Sequence, residues 1–598
     1  MSAIWKYFQV NEDDKSKAVC KICQSKLSRG GTNPNSYNTS NLIKHLKTQH
    51  DAEHKEFSHG GGKLQQPTLP QTLKKREKMS RDSPHAIKIT EALTQYIALD
   101  DQPLSVVENI GFRRLLSVLE PRYEIPSRQY ITDRELPKLY DFVKRHIQSL
   151  LQDVSAISLT TDIWTSSVSP VSLISLTAQW VDKYFTLQRA VLHAKHFWGS
   201  HTSQAIADVF DEMLRKWGVP KTLIHVVLHD NAKNMIKAMT DAGLQNLPCF
   251  AHTLQLVVNE GLLVQRSVTD AVAIGRKIVR HFKHSTLAYS RLEDIQLQLN
   301  QPTKRLQQDV QTRWNSTFYM LQSLIEQKRA LGIYGSEHEL PENLAAHQWA
   351  LLEKTVVVLA PFEELTRKVS CSDALASDVI PAVTVLLRIL NRETEEDQGI
   401  KTMKSTLAAA VKRRFTDMEK IPLYCIATLL DPRYKYRFFS NVNIAIDAKE
   451  MLKVELQSVN TGEPKENLEE PPARRLRMTQ ASSSLDRVFE EITEEQKSSS
   501  QSHATPVGVA IQLETYLGET TIPREENPLQ FWGVNKMRFP ALAKISQRYL
   551  SAPCTSVESE RLFSSVSHII NEDRNRLSAA NAEMLLFLKK NLPLTFLK

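Results

Sequence analysis

The residues with the most specific chemistry stand near the N-terminus. Cys20-Lys-Ile-Cys23 is followed by His45-Leu-Lys-Thr-Gln-His50, a C-x2-C-x21-H-x4-H pattern. Two thiolates and two imidazoles in closely spaced pairs are the usual donors for tetrahedral Zn2+, and four protein ligands make such a site structural. A redox C-x-x-C would explain the cysteines but leaves the histidine pair without a role. Carboxylates form a second set. Asp162 ends the run Leu159-Thr160-Thr161 and precedes Ile163-Trp164-Thr165, while Asp230 follows Leu228-His229 and precedes Asn231-Ala232-Lys233-Asn234. Two acids at strand ends can share divalent cations, and a pair of Mg2+ or Mn2+ ions activates a water or 3′-hydroxyl for in-line attack on a phosphodiester. A single Asp at a strand end is otherwise a turn residue or a helix cap.

Each set needs elements to position it. Asn41–His50 reads as a helix with Ser40 as its cap, which places His45 and His50 on adjoining turns opposite a Cys-x-x-Cys turn. From Ala86 to Gln152 apolar residues recur at helical spacing, as in Ile89, Leu93 and Ile97, then Phe112, Leu115, Leu116 and Leu119. Extended segments follow at Ala156–Thr161, Ser172–Val181 and Leu187–Phe197, an antiparallel meander. A helix over Ser203–Trp217 then leads to the apolar run Leu223–Leu228, so Asp162 and Asp230 each end a strand. Residues 260 to about 455 return to helical spacing, including Val356–Leu359 and Leu386–Leu390. Residues 457–508, rich in Glu, Pro, Ser and Gln, read as a mobile loop, and Pro528–Leu592 is helical again around Leu585-Leu586-Phe587-Leu588.

Composition narrows the classes. At 598 residues with 41% hydrophobic and 24% charged residues the chain has the make-up of a soluble multidomain protein. No window approaches the ~20 apolar residues of a membrane span, so no membrane partner is expected. Lys6, Asp13, Asp14, Lys15 and Lys17 interrupt the first thirty residues, which argues against a secretory signal and for an intracellular protein. Cys249, Cys371, Cys425 and Cys554 are too scattered for a disulfide framework and are expected to be reduced. Most of the +9 net charge sits in residues 1–88, where sixteen Lys and Arg face eight Asp and Glu. A basic arm that includes Lys74-Lys75-Arg76-Glu77-Lys78, on a nearly neutral body, suits a polyanionic partner or a nuclear import signal.

The spacing between the metal-ligand pairs exceeds that of common C2H2 fingers, and Trp5 and Phe8 precede the first cysteine. This arrangement resembles the BED finger. The resemblance implies that these aromatics pack the finger and that its helix meets DNA. Asn38, Ser40 and Asn41 would then reach base edges, and Lys44 and Lys47 would meet phosphates.

The C-terminal run Tyr549-Leu-Ser-Ala-Pro553-Cys-Thr-Ser-Val-Glu-Ser559-Glu560-Arg561-Leu-Phe563-Ser564, ending in Asn575-Arg576-Leu577, is similar to the signature of hAT-family DNA transposases. Further matches are Thr161–Thr165, Asp230-Asn231-Ala232, Cys249-Phe-Ala-His252, Thr312-Arg313-Trp314-Asn315-Ser316-Thr317 and Leu430-Asp431-Pro432-Arg433, in the family's order. The resemblance implies an α/β plus α architecture. An RNase H-like core over 153–259 and 515–598 is split by a helical insertion over 260–514, preceded by a ββα-type finger at 1–55, a basic flexible linker at 56–85 and a small helical DNA-binding domain at 86–152. It assigns an Asp162, Asp230 and Glu560 triad holding Mg2+ or Mn2+. Glu558 is the rival to Glu560: the two lie about 200° apart on a helix, and the neighbouring apolar residues do not choose between them. By the same resemblance Trp314, beside Arg313, stacks on a nucleotide flipped out when the flanking DNA closes into a hairpin, and Cys249 and His252 contact DNA or support the core.

Two functions follow. One is a nuclear cut-and-paste transposase, at least a dimer through its C-terminal region, that binds transposon ends and target DNA. The other is a non-catalytic descendant acting as a DNA-binding transcription regulator or SUMO ligase-like protein. His229, where many relatives carry Thr, and Lys233 depart from the family pattern beside Asp230.

Overall fold

The computed structural model describes residues 3–31, 33–60, 78–165, 172–393, 400–459, 483–495, 509–569 and 577–596. Lys74–Glu77, most of the loop expected over 457–508, and Asn575-Arg576 lie outside the described residues. Two compact units are present, one of Met1–Ala86 with Arg114–Glu124 and one of Ile87–Arg113 with Ile125–Lys598. No helix among the described residues is long and apolar enough to cross a membrane, and all six cysteines are free.

In the first unit, strands β1 (Phe8–Val10), β2 (Lys17–Cys20) and β3 (Lys26–Ser28) form an antiparallel sheet in that order. The expected ββα finger therefore has a third strand, because Phe8 pairs with Cys20 and joins the core. Along β2, Ala18 and Cys20 point inward at alternate positions. They meet Leu42 and Leu46, one turn apart on the helix Ser40–Gln49. Ser40 is the first helical residue rather than the cap. Thr39 occupies the cap position, and the Asn38 side chain accepts the Ser40 amide at 3.1 Å. The finger also runs past its expected end: a second helix, Asp51–Gly60, returns Glu56 to Tyr7 at 2.9 Å and Lys6 at 2.6 Å.

The ligand atoms of Cys20, Cys23, His45 and His50 all lie within 4.8 Å of one another, with Cys20 Sγ 3.6 Å from His50 Nε2 and Cys23 Sγ 3.3 Å from His45 Nε2. The Cys23 thiol is pulled down to about 5, first by its Ser25 contacts and then by the two histidines, so it is ready to act as a thiolate donor. The donor set and its closure fit structural Zn2+. A core of seven buried side chains among the described residues is too small to hold such a unit without metal.

The second unit is built on a sheet of β4 (Ile157–Thr160), β5 (Ile163–Thr165), β6 (Ser172–Val181), β7 (Leu187–His196), β8 (Ile224–His229) and β9 (Asn246–Pro248). Across it the order is β7-β6-β4-β8-β9, with β5 pairing the start of β6. β4, β6 and β7 form the expected antiparallel meander, and β8 and β9 add in parallel beyond β4. β5 and β9 have three residues each, too short for a periodic signal. Alternation on β8 divides the core: Val226 and Leu228 join one apolar cluster and Val227 the other.

The first cluster runs through the helices from Phe250 to Leu517 and on to Cys554. The second gathers Leu93, Ile97, Leu136, Val143 and Ile147 from the helical segment with the opposite sheet face and the helix Ala579–Asn591. Leu93 and Ile97 of the helix Pro84–Leu99 and the buried face of the helix Leu136–Leu151, both expected within 86–152, thus share a core with the sheet. Ser484–Glu495 corrects the loop expectation: Leu485, Val488, Phe489 and Ile492 are buried at helical spacing, and Asp486 pairs with Lys368 at 2.7 Å. A Ser- and Glu-rich composition concealed that amphipathic face. Leu585–Leu588 are buried within the same chain, Phe587 lying 4.6 Å from Tyr140 between ring centres.

Two substitutions test these cores. Cys23→Ser is expected to release zinc and unfold the finger, read as bound zinc per chain and loss of duplex DNA binding; unchanged metal content excludes this ligand set. Asn591 is fully buried, accepts the Val191 amide at 2.9 Å and donates to its carbonyl at 2.7 Å. Asn591→Leu leaves both groups unpaired at about 1–3 kcal/mol each, so the thermal midpoint falls by several degrees, and an unchanged midpoint contradicts the tether.

Candidate active site

Parallel pairing sets the first two acids side by side. Thr160 on β4 is in register with Leu228 on β8, and the Thr161 amide donates to the Leu228 carbonyl at 3.0 Å. Asp162 and Asp230 each lie two residues beyond that pair, at the same end of neighbouring strands. Asp162 is fastened to β6 as well, its amide donating to Ser175 Oγ and its carbonyl accepting the Ser175 amide, both at 3.0 Å.

Glu560 arrives from the other end of the chain on the helix Val557–Ile569. Ser559 Oγ lies 2.7 Å from Thr160 Oγ1, which lies 2.6 Å from Thr177 Oγ1, a buried chain of three hydroxyls. One turn later Phe563 stacks on Trp164 of β5 at 6.2 Å between ring centres. Glu560 turns toward His252, whose Nε2 is 3.7 Å from its Oε1. Glu558 pairs with Arg561 at 2.7 Å and lines a recess with Arg189 and Lys590. The packing thus separates two residues that helical projection alone left equivalent.

Burial pushes the Asp162 carboxyl up to about 7, with Asp230 and then Glu560 adding to the rise and the Ile163 amide opposing it. His252 is held up to about 9, foremost by hydrogen bonding to Cys249 and then by Glu560 and Asp162. Among the described residues only the finger's four ligands close to within 4.8 Å, so the three acids converge without forming a single-ion cage.

The neighbouring sequence-predicted residues divide clearly. His229 is buried, Nδ1 2.5 Å from the Asp230 carbonyl and Nε2 3.1 Å from Asn246 Oδ1, so it braces β8 to β9. Lys233 is exposed at the start of its helix. Cys249 is fully buried: its amide donates to the His229 carbonyl at 2.8 Å, and its Sγ accepts the Ser556 amide at 3.3 Å. These contacts clasp the segment before the helix Phe250–Val258 to β8 and to the approach of the C-terminal helix. Trp314, expected as an open stacking face, is 2% exposed and packs on Phe318. Arg313 is exposed beside it, and the motif's Ser316 and Thr317 are taken up in local bonds to Val310 and Asp309.

Sequence reasoning missed Ser559 and Thr160. Polar residues alternating with Ile157 and Leu159 on a fully buried strand were the available signal. On the finger, Asn38, Ser40, Asn41, Lys44 and Lys47 are all exposed, although Asn41 also donates to the Ser28 carbonyl at 3.2 Å.

Comparison with known proteins agrees along the chain. The BED zinc finger profile matches residues 2–51, the ZBED1 RNase-like domain 160–247, the ZBED1 RNase-like helical domain 247–357 and the hAT family C-terminal dimerisation region 512–592. Zinc finger BED domain-containing protein 4 of Homo sapiens is 31% identical over 625 residues, covering 100% of this chain and 52% of its own length. Zinc finger BED domain-containing protein 6 of Homo sapiens is 28% identical, covering 99% of this chain and 70% of its own length. The "Putative AC transposase" of Zea mays is 24% identical, covering 82% of this chain and 64% of its own length. The chain thus spans about half the length of the first of these relatives. It matches a BED zinc finger at one end and an hAT family C-terminal dimerisation region at the other, and along its length it is similar to zinc finger BED domain-containing proteins and to a putative AC transposase.

Proposed function

We propose that this chain is a DNA strand-transfer enzyme of the hAT type, with Asp162, Asp230 and Glu560 as its catalytic acids on an RNase H-like core. The observation that carries the reading is their convergence: two neighbouring parallel strands and a helix almost four hundred residues away bring three carboxylates close enough for Asp230 and Glu560 to act on Asp162. The strand order β7-β6-β4-β8-β9 supports the core assignment. An all-carboxylate donor set, in which burial and then the neighbouring acids hold Asp162 up to about 7, fits hard divalent cations, which would favour the ionised form. Bound Mg2+ or Mn2+ would activate the attacking oxygen and stabilise the leaving one.

The chain's own residues have separate tasks. Asp162 and Asp230 take fixed positions from the sheet, and Glu560 from the hydroxyl chain. His252 sits against Glu560 and orients that carboxylate, which with Asp162 and Asp230 would hold the cations. The finger holds duplex DNA through the exposed Lys44 and Lys47, with Asn38, Ser40 and Asn41 nearest the bases. Dimerisation through the matched C-terminal region would use exposed residues such as Val534 and Met537, because Leu585–Leu588 are already covered.

A non-catalytic DNA-binding role has one observation in its favour. Trp314 is buried, so the hairpin step requires the T-R-W-N-S segment to open first.

Purified full-length protein, given Mg2+ and DNA carrying the repeats that flank its own gene, is expected to cut at the repeat ends. Asp162→Asn should lower cleavage at least 100-fold, while Glu558→Gln stays within a fewfold of wild type. Equal products from wild type and Asp162→Asn would remove the catalytic reading and leave the binding one.

A further inference from the structure

An aromatic cluster beside the carboxylate cleft has no part in the site described so far. It lies on the turn from β7 into the helix Ser203–Trp217. Trp198 is 78% exposed, among the most open large hydrophobic side chains of the described residues. Its ring meets His196 edge to face at 3.9 Å between centres, and Phe197, buried beneath, stacks on His201 at 4.8 Å. Gly199, at φ +85°, turns the chain immediately afterwards with open space around it.

Two links place this turn beside the acids. In the sheet, His196 pairs with Leu173, and Leu173 pairs with Trp164, two residues past Asp162. Those flanking positions are therefore two strand spacings apart, roughly 10 Å. On the other side, the Asn234 side chain donates to the His201 carbonyl at 2.9 Å, and Asn234 stands four residues past Asp230. The turn is thus hydrogen-bonded to the first turn of the helix Lys233–Asp241, which follows Asp230.

We infer that Trp198 is a nucleobase-stacking residue at the rim of the cleft, taking an unpaired base of a DNA strand a few nucleotides from the carboxylates. An indole held edge-on by a neighbouring ring keeps one orientation, and its open face offers area to any base irrespective of sequence. Burial lowers the affinity of His196 for a proton, so the brace stays a neutral ring near pH 7. Lys233, exposed at the start of the helix that bears Asn234, adds a cation for the backbone of the same strand. A staggered or single-strand cut frees unpaired nucleotides, and Trp314 is not open to receive them in this conformation. The inference rests on the DNA-processing reading above and assigns it a binding position outside the triad.

The test uses full-length protein and a fluorescein-labelled 20-nucleotide thymidine oligomer, with a 20-base-pair duplex as control, at fixed salt. Trp198→Ala is expected to weaken binding of the single strand about tenfold, in line with the loss of one stacked base. Trp198→Phe should stay within about threefold, and duplex binding within twofold for both variants. A 5-iodouracil oligomer should crosslink to the peptide containing Trp198. Single-strand affinity of Trp198→Ala within twofold of wild type, or no single-strand binding by wild type, overturns the assignment. Repeat-end cleavage that depends on Asp162 would leave the function standing in either case. If Trp198→Ala instead reduces the sedimenting mass while DNA binding is unchanged, the ring belongs to a protein contact and the inference is wrong.

Discussion

The hydroxyl chain Ser559–Thr160–Thr177 is the contact on which the site depends. Ser559 immediately precedes Glu560, and Thr160 lies two residues before Asp162, so one buried contact sets the register between the C-terminal helix and the sheet. The surrounding packing serves that register. Ser551 reaches Ser158 at 2.9 Å and accepts from Gln179 at 2.9 Å, while Phe563 meets Trp164. Cys249 accepts the Ser556 amide from the opposite side. A long helical segment can therefore lie between β9 and the C-terminal helix without displacing Glu560, because the closing contacts are made on the sheet itself.

Those contacts gather like charges. Three carboxylates in one partly buried cleft oppose folding, and the raised Asp162 is the sign of that tension. His252 offsets part of it, because Cys249, Glu560 and Asp162 all favour its protonated form. The finger solves the converse problem: its core is small, and four ligands drawn to one point make metal binding part of its folding.

Much of this was legible in residue order. The finger ligands, the helix Ser203–Trp217 and the strands ending at Asp162 and Asp230 followed from spacing and periodicity, which local structure obeys. Glu560 entered by resemblance, whose motif selects it over Glu558; helical projection alone does not, and the packing turns Glu560 toward His252 and Glu558 toward Arg561. The helix Ser484–Glu495 was hidden by composition, and the first finger strand by its length of three residues. His229 looked like a disturbance of the metal site until its bond to Asn246 turned it toward β9. Trp314 followed a motif, but motif order says nothing about exposure, which packing alone decides.

In the proposed function Asp162 and Glu560 act on the same metal ions. Calorimetric titration of Mn2+ into zinc-saturated full-length protein tests it most directly, using wild type, Asp162→Asn, Glu560→Gln and the double variant. Either single substitution is expected to abolish the Mn2+ site, with the double variant no worse than the singles. Wild-type Mn2+ affinity in both single variants would contradict it.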